Sequence, residues 1–202
     1  MDRNYWDSKA SGYEEHMQRS REAYCKIIEL AKKEVAGSHT LLDIGTGTGV
    51  IPVALSAYAD KIHAVDYSPE MIKIARSKAE RMNIRNITFQ VQDCQNLSFN
   101  DNMFDVIVVS NLLHIITTPV QFLLSLKRIL KEDGKIIIPT YMHNENMRAK
   151  IISGILKMKG HPVITRFSSK SFLEMTAQCG YTVETVSLIK NAMPVLYAVL
   201  SK

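Results

Sequence analysis

The stretch Leu41-Leu42-Asp43-Ile44-Gly45-Thr46-Gly47-Thr48-Gly49-Val50 constrains this chain of 202 residues more than any other. Thr40 to Ile44 is short, apolar and partly β-branched, the pattern of a buried parallel strand. It runs into a glycine-rich turn, and a helix opens straight after it. Gly45, Gly47 and Gly49 permit positive φ and leave room for a ligand to touch backbone. The helix that follows points its free N–H groups at whatever lies in the turn.

Two details narrow the ligand. The dinucleotide fingerprint needs its third glycine three positions after the second. Here that position is Val50, and the third glycine falls one residue early, at Gly49. Asp43 is the second detail. A carboxylate at the mouth of the strand repels a pyrophosphate but suits a ligand carrying positive charge. S-adenosylmethionine, with a sulfonium, an α-ammonium and no phosphate, is such a ligand.

Along the chain, apolar runs and helical periodicities alternate. A single helix is expected over about 14–35, with Gly37 as its C-cap. Ile62 to Asp66 reads as a second strand ending in an acid. Ser68 and Pro69 then start a helix as N-cap and first helical residue, with Met71, Ile74, Ala75 and Met82 facing inward. Ile87 to Val91 is a third strand, Phe104 to Val109 a central fourth, and Pro119 to Leu130 a helix. Asp133-Gly134 reads as a turn, Lys135 to Tyr141 as strand five. Tyr181 to Ile189 and Val195 to Leu200 form a closing antiparallel pair. The alternation predicts a doubly wound, mostly parallel α/β sheet with helices on both faces. Ligands in such sheets bind beyond the carboxyl ends of the strands, so Asp43, Asp66, Asp93, Ser110 and Tyr141 should converge. Asp66 stands at the offset from Gly45 where a nucleotide-binding βαβ unit puts a carboxylate on ribose hydroxyls.

Composition fits one globular domain over 1–202, with 46% hydrophobic and 22% charged residues. No apolar run reaches the ~18 residues of a membrane span, and the N-terminus lacks the apolar core of a signal peptide. Cys25, Cys94 and Cys179 form neither a disulfide framework nor a metal spacing, so no metal is expected and a reducing cytoplasm is the expected compartment. Net charge is +5, which permits an anionic partner without demanding one. The positive charge is concentrated: from Asn146 to Leu173 there is no acid, but there are Arg148, Lys150, Lys157, Lys159, Arg166 and Lys170. That basic segment could be a lid, a dock for an anionic substrate, an interfacial helix, or a solvated face.

Leu42 to Gly49, Ala64-Val65-Asp66-Tyr67-Ser68-Pro69-Glu70-Met71, Gln92-Asp93-Cys94, and Phe104 to Ile107 with Ser110-Asn111 together resemble the class I S-adenosylmethionine-dependent methyltransferases of the small single-domain kind. Tyr5-Trp6-Asp7 with Ala10 and Tyr13 is similar to the family's N-terminal segment over the cofactor. The resemblance implies a Rossmann-like sheet of seven strands with a C-terminal antiparallel hairpin. It implies a helical lid over 1–36 and a substrate-side basic insertion over 142–170. It places Gly45 and Gly47 along the methionine part and Asp43 toward the ammonium. Asp66 would take the ribose hydroxyls, and Tyr67 and Met71 would flank the adenine. Asp93 would accept from the adenine amino group near the Cys94 backbone, Ser110 would close the pocket, and Tyr13 would be a lid residue.

Methyl transfer from a sulfonium is an in-line displacement, driven chiefly by positioning in a dry pocket. If the acceptor carries a proton, His114, just after strand four, is the expected general base, with His143 and Tyr141 as weaker candidates. Ser110-Asn111-Leu112-Leu113 stands where subgroups acting on nucleobase amines or glutamine carry Asn-Pro-Pro-Tyr. That points to a small organic acceptor, with S-adenosylhomocysteine as the second product. Nucleic acid is not the expected partner, an integral membrane association is not expected, and monomer or homodimer are both open. The alternatives are an RNA or lipid-surface methyltransferase using 148–170, a nicotinamide oxidoreductase, and a non-catalytic binder of S-adenosylmethionine.

Overall fold

The computed structural model describes residues 3–18 and 20–202. Four parallel ladders are laid down by β1 (Ser38–Ile44), β2 (Ala59–Asp66), β3 (Ile87–Val91), β4 (Phe104–Val109) and β5 (Leu130–Tyr141). The hairpin of β6 (Thr182–Ile189) and β7 (Val195–Ser201) adds to β5 in antiparallel sense. The order is β3-β2-β1-β4-β5-β7-β6, the seven-stranded sheet that the alternation and the resemblance predict. The strand order reverses between the parallel strands β1 and β4, and this switch point opens the crevice in which such sheets bind ligands.

Strand alternation distributes the core over both faces. Leu41, Ile62, Val106, Val108 and Ile137 face α3 (Arg21–Val35) and α4 (Val50–Leu55). On the same face, Ala64 and Phe89 meet Ile72, Ala75 and Ala79 of α5 (Pro69–Arg81). Leu42, Ile44, Val65, Ile107 and Val109 face the opposite way, toward α6 (Pro119–Ile129) and α8 (Ser169–Gln178). β1 and β4 are buried on both sides along most of their length, which is why they read as continuous apolar runs.

Three local expectations shift. The helix expected over 14–35 is broken: α1 (Arg3–Lys9), a 3-10 turn and α2 (Tyr13–Gln18) precede α3. Ser20 lies outside helical geometry, with its N–H bonded to the Met17 carbonyl at 2.9 Å. Met82 is exposed, because α5 ends at Arg81 and Asn83 takes a positive φ of 54°; Ile72 and Ala79 fill the inner face instead. Asp133-Gly134 lies within β5, but the pairing jumps from Phe104↔Leu130 to Val106↔Lys135. The turn signal therefore marks a bulge that carries surplus β5 residues out of the ladder. Leu124 of α6 is solvent-facing, while Phe122, Leu123, Leu126 and Ile129 are buried.

α7 (Met147–Met158) connects β5 to the stretch before α8, and its N-cap Asn146 accepts the Ala149 N–H at 2.9 Å. No helix among the described residues is long and apolar enough to cross a membrane.

Candidate functional site

The glycine turn is held against β2: the N–H groups of Gly45 and Thr46 both bond the Val65 carbonyl, at 2.9 and 3.0 Å. Gly47 has φ +54°, and a Cβ there would sit 3.4 Å from the Tyr13 ring. Gly49 has φ +76°, and a Cβ there would meet the Ala75 Cβ at 2.8 Å. The loop is thus a close-approach surface under Tyr13 at one end and a helix-packing contact with α5 at the other.

Two carboxylates face this turn in different states. Asp66, at the end of β2, accepts the Gly47 N–H at 2.8 Å on one oxygen and the Ser68 N–H at 2.9 Å on the other. An ionised carboxylate offers about four lone-pair sites, so each oxygen retains capacity for a hydroxyl donor. Burial raises the Asp66 pKa, and the backbone N–H groups of Ser68 and Gly47 hold it back. Asp43, at the end of β1, is buried and neither of its oxygens has a hydrogen-bond partner. Burial pushes its pKa up to about 7, the neighbouring Thr46 hydroxyl holds it back, and the charge of Asp66 adds to the rise. Thr46 and Thr48 and the Ser110 hydroxyl beside it are also unpaired, and all four line one small cavity. A buried carboxylate left without donors is costly unless a cation completes it. A ligand ammonium is the chemistry this corner lacks.

Next to these groups lies an apolar slot. Val65, Met71, Cys94, Leu112 and Ile115 line it together with Gly45, Gly47, Asp66, Tyr67, Gln92 and Ser110. Cys94 is buried there and burial pushes its thiol up to about 12, so it presents an inert side chain. Met71 and Leu112 in the slot could hold a flat heterocycle, Asp66 a diol, and Asp43 in the adjoining small cavity an ammonium. Asp93 stands apart from the slot. Its carboxylate accepts the Gln95 N–H at 3.0 Å, and its carbonyl accepts the Asn96 N–H, which caps the turn after β3. The slot is lined instead by its neighbours Gln92 and Cys94.

The N-terminal helices close over the slot. Trp6 and Tyr13 line it, and α1 is tied to the start of α5 by the Ser68 hydroxyl donating to Asp7. Arg3 bonds the Tyr67 carbonyl at 3.1 Å and stacks 4.5 Å over the Tyr67 ring. Lys78 pairs with Glu14 of α2 and donates to the Thr48 carbonyl at 2.8 Å. In this closed form the slot has only about 50 Å³ of free space.

A second, larger cavity of about 350 Å³ adjoins it across Trp6, Tyr13 and Asn111. Its other walls include Tyr24, Tyr141, His114, His143, His161, Met193 and the α7 residues Ile152 and Leu156. Among the described residues, no Asp, Glu, Lys or Arg lines it. Asn111, with φ +50°, bonds the Pro139 carbonyl at 2.7 Å and donates to the Tyr24 hydroxyl at 3.0 Å, which fixes the partition between the two spaces.

His114 lies on a one-turn 3-10 helix, Leu113–Ile115. The turn divides its side chains: Leu112 and Ile115 line the slot, His114 the larger cavity. The His114 ring lies 4.8 Å from that of His143, 6.1 Å from Tyr141 and 6.3 Å from His161, centroid to centroid. His143 meets the Ser153 hydroxyl at 3.1 Å, and His161 meets the Tyr5 hydroxyl at 3.0 Å. Burial lowers the His114 pKa well below its usual value, and His143 and His161 push the same way. Burial takes His143 down to about 4. Both rings are therefore neutral near pH 7. Tyr13, Tyr24 and Tyr141 are likewise raised by burial. The described residues contain no metal-binding group of three or more His, Cys, Asp or Glu.

Trp6, Gln92, Asn111, Leu112, Ile115, His161 and Met193 also belong to these walls. Most are apolar or lie far from the glycine turn in sequence, and no spacing singles them out.

A family model described as a methyltransferase domain matches residues 37–194. Among curated relatives, an uncharacterized methyltransferase of Bacillus subtilis, YcgJ, is 31% identical over 105 residues, covering 52% of this chain and 42% of that protein. A ubiquinone/menaquinone biosynthesis C-methyltransferase of Citrifermentans bemidjiense is 33% identical over 106 residues, covering 50% of this chain and 45% of the relative. The chain thus spans about half the length of the curated relatives it matches. Among solved structures, a Thermotoga maritima protein described as a possible histamine N-methyltransferase superposes with a TM-score of 0.75 at 19% identity, over 98% of both chains. At that identity the likeness is one of fold.

Proposed function

This chain belongs to the methyltransferase-domain family, and we propose that it transfers the methyl group of S-adenosylmethionine to a small, uncharged, hydroxylated aromatic acceptor of the phenol or quinol class. One observation carries the reading: two cavities share a wall, and their linings call for different molecules. The slot offers carboxylates Asp43 and Asp66, a glycine surface and an apolar cleft. The larger cavity offers aromatic rings, the neutral His114 and His143 and, among the described residues, no Asp, Glu, Lys or Arg. Quinone-related methylation in the names of matched relatives points the same way.

Bound in the slot, S-adenosylmethionine supplies an electrophilic methyl whose leaving group departs neutral. The protein has three tasks. Asp43 and Asp66 orient the cofactor through its ammonium and its diol. Trp6 and Tyr13, on the lid of α1 and α2, exclude water from the junction of the two spaces. His114 accepts the acceptor hydroxyl's proton on the ring nitrogen facing the larger cavity. A histidine with a depressed pKa is a weak base. Its contribution therefore falls at the low end of general-base catalysis, about 10²-fold, and positioning carries the rest.

The test begins with calorimetry of S-adenosylhomocysteine, S-adenosylmethionine and NAD against the native chain and Asp66→Ala. Micromolar binding of the first two, lost in the variant and absent for NAD, supports the cofactor assignment. Phenolic and quinol acceptors are then screened by S-adenosylhomocysteine release. Tight NAD binding without binding of the sulfonium ligand overturns the reading. Turnover confined to anionic or nucleic-acid acceptors overturns its acceptor half.

A further inference from the structure

α7 has apolar residues on both of its long faces. The inner face, Ala149 and Ser153 with Ile152 and Leu156, is turned into the protein, and the last two line the uncharged cavity. The opposite face is also apolar, and it meets solvent. Met147 is 70% exposed, Ile151 57%, Ile155 42% and Met158 81%. At 3.6 residues per turn these four lie within an arc of about 80°. The same geometry sets Arg148 and Lys159 along one border of the stripe and Lys150 and Lys157 along the other. None of these four cations is ion-paired with a described acid, whereas Lys170 is matched by Glu174 at 3.9 Å. Ile164, in the segment after α7, is 50% exposed. Met82 and Leu124 are exposed singly, and Val186 and Leu188 form an exposed pair on the edge strand β6 with no basic border of this kind.

An outward apolar stripe bordered on both sides by unmatched cations is the pattern of a helix lying in a lipid interface. Simple solubility requires the reverse, with charge at the centre of the outer face. We propose that α7 docks this protein on an anionic lipid bilayer, with Met147, Ile151, Ile155 and Met158 in the acyl boundary and the flanking cations on lipid phosphates. The acid-free run from Asn146 to Leu173 selects the occupant, since every charge bordering the stripe has the sign that an anionic headgroup complements. The docked helix is also a wall of the uncharged cavity. The arrangement places that cavity one helix thickness from the bilayer, where an apolar acceptor partitions.

The inference stands on the surface of α7 and needs neither cofactor nor acceptor, so its test is separable from that of methyl transfer. Vesicle flotation of the native chain compares phosphatidylglycerol/phosphatidylcholine vesicles with pure phosphatidylcholine. Calorimetry with S-adenosylhomocysteine on the same preparations reports the state of the slot. The expected result is binding to the anionic vesicles that weakens with salt and is at least ten-fold weaker on pure phosphatidylcholine. I151D/M158D, at exposed positions, should lose binding at least ten-fold while keeping its melting temperature and cofactor affinity. Arg148→Gln and Lys157→Gln should each lower binding about five-fold, and M82D/L124D should not change it. Absence of binding to anionic vesicles, binding equal in I151D/M158D, or a solution dimer that dissociates in I151D/M158D overturns the proposal. A protein partner captured through α7 with no vesicle binding does the same.

Discussion

The two cavities are built on opposite plans. The slot is assembled at the ends of adjacent strands β1 and β2, where the ladder register fixes Asp43, Gly45 and Asp66 relative to one another. The larger cavity is assembled from the N-terminal helices, the turn after β4, the end of β5, α7 and the loop before β7. The first uses carboxylates that need a partner, and the second has no Asp, Glu, Lys or Arg among its described lining residues. A sheet edge can hold one ligand in a constant way, while the surrounding helices and loops are free to shape a different neighbour.

Substitutions sharpen that contrast, beginning with the largest expected effect. Asp66→Ala should reduce affinity for S-adenosylhomocysteine by about 10²–10³-fold, the loss of two charge-assisted hydrogen bonds. Calorimetry checks it, and an equal loss of acceptor affinity would blur the division between the two sides. His114→Ala should act on the other side alone, lowering kcat about 10²-fold with cofactor affinity unchanged, read by single-turnover methyl transfer. Gly49→Ala should cost about 2 kcal/mol, since φ is +76° and the new Cβ meets Ala75; urea denaturation measures it.

The next effects are pH-dependent. Asp43 titrates at about 7 in the free protein. Below that pH a cationic ligand must displace a proton, so cofactor affinity should fall up to ten-fold per pH unit. Asp43→Asn should flatten the slope. The smallest effect concerns stability. The folded pKa of His143 is about 4, against an ordinary value near 6.5. Between these values the unfolded chain binds the extra proton, so this histidine's contribution is lost as pH falls from about 6.5 toward 4. Asp43 acts in the opposite sense: its raised pKa makes its burial less costly as pH falls from about 7 toward 4. Thermal melts of His143→Gln and Asp43→Asn across that window should diverge in sign.

This division also explains what could be read in advance. Asp43 through Gly49 and Asp66 through Met71 are local runs whose spacing follows from a strand, a turn and a helix in succession. Gly45, Gly47, Asp66, Tyr67 and Met71 line the slot and Asp43 the small cavity beside it, and the seven-stranded order follows from the same alternation. Asp93 shows the limit of reading by position: the side chain at the expected place bonds its own turn, and Gln92 and Cys94 line the slot instead. The histidine cluster shows a second limit. His114, His143 and His161 come from three separate loops or turns, and only tertiary packing sets the other two rings 4.8 and 6.3 Å from His114. The break between α2 and α3 is a third. Helical periodicity persists through it, but Ser20 leaves helical geometry and meets Asn191 and Tyr141 through its hydroxyl.

The shared wall of Trp6 and Tyr13 couples the two spaces. Ligand pockets occupy about 300–1,000 Å³, the slot has about 50 Å³ free, and Trp6 of α1 and Tyr13 of α2 stand over it. The ties that hold them, through Asp7, Arg3 and Glu14, are all partly exposed and individually weak. The same two side chains wall the larger cavity as well, so any outward swing of α1 and α2 opens both spaces together, and neither is whole while the other is open.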